Sequence, residues 1–113
     1  MQKISGDFLV KFLKIYSSSA NLTTIYRAVP SSHKEIRKND YVTKSLKWAI
    51  DHAEHVSFMD QEDSFVLRAK VKPEEVIDAF NPGEYRYVGE DIDNQNLEEV
   101  KRIEFDPLTA FDY

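Results

Sequence analysis

The sequence contains no cysteine. That absence excludes disulfide bridges, a thiolate nucleophile and cysteine-ligated zinc. Glycine is nearly as scarce, at three in 113 residues, and none builds a glycine-rich phosphate loop. Neither a nucleophile elbow nor a helical His-Glu-x-x-His motif occurs. No apolar run reaches the length of a membrane span. Met1-Gln2-Lys3-Ile4 leads into charged and polar residues and not into the apolar stretch of a secretory leader. A soluble protein of a reducing cytoplasm is the expectation. An excess of positive charge is missing too, since 15 Lys and Arg face 20 Asp and Glu, for a net charge of −5. A protein that grips a phosphate backbone presents a basic face, so a general nucleic-acid binder is not expected. A local basic pocket remains compatible, and the acidity suits docking onto a basic surface.

What the sequence does carry is a spread of apolar residues, 42% hydrophobic and 12% aromatic. That is too apolar for a disordered chain, and 113 residues suit one core and a single domain over residues 1–113. The pattern is mixed α and β, without an internal repeat. Phe8, Leu9, Phe12, Leu13 and Tyr16 recur at helical spacing between Gly6 and Ser18. Leu22 to Val29, rich in β-branched and aromatic residues, predicts a strand that stops at Pro30. Tyr41 to Thr43 predicts a short strand running straight into a helix. Leu46, Ala49, Ile50, Ala53 and Val56 share one face of that helix, with Ser45 at its N-cap. Phe65, Leu67, Ala69 and Val71 alternate with Val66, Arg68 and Lys70, the clearest period-two signal. Lys72 to Ile77 predicts a helical turn and then an extended piece. Tyr85 to Val88 follows the Pro82-Gly83 turn as a strand, and Val100 to Phe105 predicts a last one.

Three short segments set polar residues at the edges of such strands: Arg27, then Thr43 and Ser45, then Glu84. A guanidinium grips a diphosphate bidentately, as a lysine cannot, and on an amphipathic strand it equally serves as an ion-pair partner. A Ser or Thr before an apolar-periodic helix is first a cap. The same junction presents free N–H groups, where ribose or phosphate oxygens bind. Tyr41 and Trp48 flank it, and either ring suits a nicotinamide face or the core. Glu84 opens a strand after a Pro-Gly turn, at a rim. There a carboxylate steadies an oxocarbenium-like transition state, or is simply solvated. Glu90 is its rival, because Glu84, Arg86 and Glu90 fall on one face if the strand runs on.

Other groupings are weaker. His52 and His55 lie at helical spacing near Asp51 and Glu54, but without a third ligand they describe a solvated helix face and not a metal site. Asp91-Ile92-Asp93-Asn94-Gln95 opens like a calcium loop, yet it lacks the glycine at the sixth position and has Arg102 where the closing Glu belongs. No metal is expected. His33 has no evident partner, and Lys34-Glu35-Ile36-Arg37-Lys38 is a mildly basic, solvated loop.

Residues 22–89 resemble the ADP-ribosyltransferase-like superfamily, in the form of small domains found in phage and bacterial proteins. The resemblance rests on the Tyr26-Arg27 strand and on Asn39-Asp40-Tyr41-Val42-Thr43-Lys44-Ser45 before a helix with Ala49 and Ala53. It continues through Val71-Lys72-Pro73-Glu74-Glu75-Val76 and through Glu84 ahead of Tyr87-Val88-Gly89. It implies an α+β fold of two small twisted sheets that form a cleft with flanking helices. It also implies NAD as cofactor, cleavage of the nicotinamide–ribose bond, and transfer of ADP-ribose to a macromolecular acceptor, protein more than nucleic acid, away from any membrane. By that resemblance Arg27 contacts the NAD phosphates, Thr43 and Ser45 orient the ribose, Tyr41 or Trp48 meets the nicotinamide, and Glu84 is catalytic. The Glu-x-Glu or Gln-x-Glu pair of the superfamily stands here as Glu84-Tyr85-Arg86. The alternative is a catalytically silent version, a phage-type inhibitor or accessory protein. It would act through the acidic residues of 60–63, 90–93 and 106–113.

Overall fold

Thr23-Thr24-Ile25-Tyr26 opens the longest run of extended backbone near the start of the described chain. β-Branched and aromatic side chains fit a pleated, half-buried surface, and Pro30 ends the run. This is β1 (Thr23–Pro30). The computed structural model describes residues 21–110; the helix expected between Gly6 and Ser18, and residues 111–113, lie outside them. After β1 come β2 (Tyr41–Thr43), helix α1 (Leu46–Asp60) and β3 (Ser64–Val71). A 3₁₀ turn (Pro73–Glu75) then leads into β4 (Val76–Asp78) and β5 (Glu84–Tyr87). A second 3₁₀ turn (Asn94–Asn96), β6 (Glu98–Ile103) and the four-residue α2 (Pro107–Ala110) complete the order.

The strands form one curled sheet in the order β4-β5-β2-β1-β3-β6, and every neighbouring pair is antiparallel. Two small sheets were expected, and a single one is found. The reason lies in β2, which pairs on both sides. It meets β5 through Tyr41↔Arg86, Val42↔Tyr85 and Thr43↔Glu84, and β1 through the register pair Tyr26↔Thr43. The two halves are therefore continuous, but joined by a single rung.

The faces of the sheet divide by strand alternation. Ile25, Val29, Phe65, Leu67, Ala69 and Val71 point to the larger core, where the curl and the Ile36↔Ile92 bridge close over them with Val42 and Tyr87. The other face meets α1. Ala28 and Val66 pack there against Ala49 and Ala53, whose small side chains let helix and sheet approach closely. Val66, on the opposite side of β3 from Phe65 and Leu67, is fully buried as well because α1 covers that side. Ser45 caps α1 as expected, its Oγ accepting from the Trp48 N–H at 3.1 Å. Gln61 ends the helix in the left-handed region, and the buried Ser64 hydroxyl donates to the Ala53 carbonyl at 2.6 Å. Among the described residues no helix is long and apolar enough to cross a membrane.

Candidate active site

The single rung between β1 and β2 determines the site. Where a ladder stops, the next carbonyl needs another partner. Here the Tyr41 carbonyl accepts from Arg27 Nη1 at 2.7 Å, so a side chain takes over from the backbone. Arg27 Nε lies 3.4 Å from Asp40 Oδ2, is buried, and makes no hydrogen bond. Asp40 is itself held by the Arg37 N–H at 2.8 Å. The guanidinium thus sits in the seam between the strands with one anion beside it.

Along this seam runs a cleft of about 330 Å³. Arg27 from β1, Tyr41 and Thr43 from β2, Trp48 and His52 from α1 and Glu84 from β5 all line it. Tyr26 and Ala28 reach it from the helix side of β1, and Arg27 from the other side, because the two strands part there. Five of the six expected site residues therefore share one opening.

Glu84 is positioned twice over. It is the register partner of Thr43, which sets carboxylate and hydroxyl side by side on one face. Its carboxylate accepts from Asn81 Nδ2 at 3.2 Å across the turn that begins the strand. Gly83, at φ 82°, carries that turn through the left-handed region. The Trp48 ring lies over it so closely that a Cβ there would come within 2.9 Å of the ring. The only tryptophan of the chain is thus 43% exposed at the cleft and seated on the turn that delivers Glu84. Tyr41 is 53% exposed, so neither ring is spent on the core.

Ser45 is the exception. It is exposed and does not line the cleft. Its hydroxyl accepts from the Trp48 N–H and its own N–H donates to Thr43 Oγ1 at 3.1 Å, so it holds its neighbours in place. Glu90 is also set apart. β5 ends at Tyr87, so the face shared by Glu84 and Arg86 stops short of Glu90. Glu90 is exposed, and its carbonyl accepts from the Tyr87 hydroxyl at 2.5 Å. Burial, followed by Glu75, Glu90 and Asp91, pushes that phenol above its ordinary value.

The lining residue that sequence reasoning passed over is His52, weighed there only with His55 as a metal pair. The signal that would have found it is its position four residues after Trp48, on the same helix face. Burial, then His55 and Arg27, lower its basicity below the ordinary histidine value, while Glu84 pulls the other way. Among the described residues no three His, Cys, Asp or Glu side chains group to hold a metal ion. A wider groove of about 680 Å³ lies between β1, β3 and β6. Its Arg68 is already paired with Glu98 through two bonds of 3.0 and 2.6 Å, and apart from the shared Tyr26 none of the cleft residues line it. The chain matches no protein-family model, no curated protein and no solved structure.

Proposed function

We propose that the cleft binds NAD and that the protein is an ADP-ribosyltransferase of the ADP-ribosyltransferase-like fold, passing ADP-ribose to a macromolecular acceptor, protein in preference to nucleic acid. The observation that supports this is the convergence of Arg27, Tyr41, Thr43, Trp48 and Glu84, from four separate elements, on one opening. The groups suit the ligand chemically. Arg27 offers a cation with a buried Nε lacking a hydrogen-bond partner, Thr43 and Glu84 stand together for a ribose, and two half-exposed aromatic rings suit a flat amide-bearing ring. The volume of about 330 Å³ is at the small end of the roughly 300–1,000 Å³ of ligand cavities.

NAD supplies an activated bond between ribose and a positively charged nicotinamide. Everything else falls to the protein. Arg27 holds the diphosphate in competition with Asp40, and Thr43 orients the ribose within a segment that Ser45 fixes. Trp48 and Tyr41 place the nicotinamide. Glu84 sets negative charge where positive charge develops as the bond to nicotinamide stretches. Glu84→Gln removes that charge with little change of shape, so turnover is lost while the melting temperature stays near wild type; undiminished NAD cleavage in the variant would take Glu84 out of its role.

One observation favours a second reading, a silent version of the fold that acts by binding a basic partner. Arg27 already has Asp40 and the Tyr41 carbonyl as partners, so the cation that a diphosphate needs is partly engaged. A melting curve with and without NAD separates the two. Ligand at a hundredfold excess over Kd stabilises the native state by about 2.7 kcal/mol, a readily visible rise in Tm. No rise at millimolar NAD, together with recovery of a stable partner on the immobilised protein, would shift the assignment to the binding function.

A further inference from the structure

The helix face that closes the cleft carries a group that has no part in the chemistry so far. His52 lies one turn beyond Trp48 on α1 and lines the opening together with Arg27 and Glu84. We infer, resting on the transferase function proposed above, that His52 is the general base that takes the proton of the attacking hydroxyl, and that the acceptor class is therefore a neutral alcohol or water.

The geometry divides the labour. Glu84 enters from β5 beside Thr43, where it can face the ribose, and the imidazole enters from α1. Two titratable groups from different elements, in different surroundings, can act as charge stabiliser and proton acceptor in the same step. The charged and titratable groups around the imidazole are His55 on its own helix, Arg27 on β1, Glu84 on β5 and the phenols of Tyr26 and Tyr41. Partial burial of the ring at the cleft, with His55 and the Arg27 guanidinium beside it, lowers its basicity below the ordinary histidine value, so at neutral pH the uncharged form prevails, with a lone pair free to accept a proton.

The acceptor class follows from what such a base can do. A carboxylate acceptor has no proton to give and so makes no use of a base. A guanidinium holds its proton far too tightly for an imidazole to remove it and would meet Arg27. An alcohol loses its proton as its new bond forms, and a neutral imidazole serves that need. As the acceptor oxygen bonds to the ribose carbon, the bond from that carbon to nicotinamide breaks and its electron pair stays on the nicotinamide. The hydroxyl proton passes to the free ring nitrogen of His52 and from there to water.

The test uses the full chain, NAD, and two small acceptors, methanol and azide. Azide is an anion with no proton to lose. His52 is exposed on the helix surface, so His52→Gln should melt like wild type and keep the NAD-induced rise in Tm. Its methanol product should fall by roughly 10²-fold or more, the ordinary contribution of a general base, while its azide product stays within about threefold, as expected when no proton needs removal. The histidine ring signals in NMR give a readout free of turnover. The carboxylate of Glu84 favours the charged imidazole, so Glu84→Gln should move the His52 titration to still lower pH. Equal loss of both products, no loss of either, or a His52 titration indifferent to Glu84→Gln overturns the inference and leaves the transferase function standing. A wild-type protein that neither gains Tm from NAD nor cleaves it overturns both.

Discussion

β1 has two edges, and they are built in opposite ways. Toward β3 it is paired along its full length, from Thr23↔Val71 to Pro30↔Ser64, with Ile25, Val29, Leu67 and Val66 buried beside the ladder. Toward β2 it keeps one register pair, Tyr26↔Thr43, and beyond it Arg27 replaces a backbone partner with its guanidinium. A complete ladder satisfies every backbone group internally and leaves nothing for a ligand. An interrupted one leaves polar groups that need partners and a gap in which to meet them. One strand thus contributes stability along one edge and an opening along the other.

The largest expected effect comes from breaking the closed edge. Leu67 is fully buried in the main core, and Leu67→Ala should cost about 2–5 kcal/mol in denaturant unfolding. Next comes the turn that serves the open edge. Gly83→Ala puts a Cβ in the left-handed region and against Trp48, a strain of about 1–3 kcal/mol, and it should weaken NAD binding as well because Glu84 follows directly. Smaller still is Arg27→Lys. It removes the bond to the Tyr41 carbonyl at about 0.5–1.5 kcal/mol, yet it should abolish the NAD-induced rise in Tm. That split between small stability loss and complete binding loss is the sharpest check on the contrast between the edges. The smallest effect is on pH dependence. The folded state holds the His52 imidazole below its ordinary value, so the unfolded chain takes up its proton first as pH falls. Wild type should lose stability relative to His52→Gln as pH drops below about 6.5 and through the lower folded value, while above about 6.5 the difference between them should not change with pH. A pH-independent difference would mean that the folded surroundings leave the His52 imidazole unshifted.

Much of this was legible in the sequence where the signal is local. Tyr41–Thr43 as a strand, Ser45 as a cap, and the Pro73–Glu75 turn ahead of β4 all follow from neighbours a few residues apart. What escaped depends on partners distant in the chain. The alternation puts Val66 on the same side of β3 as Arg68 and Lys70, and nothing near it announces that Ala49 and Ala53 will cover that side. The number of sheets turned on the single pair between Tyr26 and Thr43, which no alternation pattern encodes. Arg27, Thr43 and Glu84 were picked out because each stands at the edge of an apolar run, and all three line one cleft. Ser45 was given a binding role because a cap and a ligand-holding hydroxyl look alike in sequence, and the Trp48 N–H already occupies its oxygen. His52 stayed hidden because its meaning depends on which side of α1 meets the gap.

The placement of Trp48 has a practical corollary. An indole ring is a natural fluorophore, and this chain has a single one, resting against Gly83 within the lining of the cleft. Its emission therefore monitors the entrance without any label, free of background from a second indole. A molecule that settles in the opening must quench or shift that light, while one that docks elsewhere leaves it unchanged.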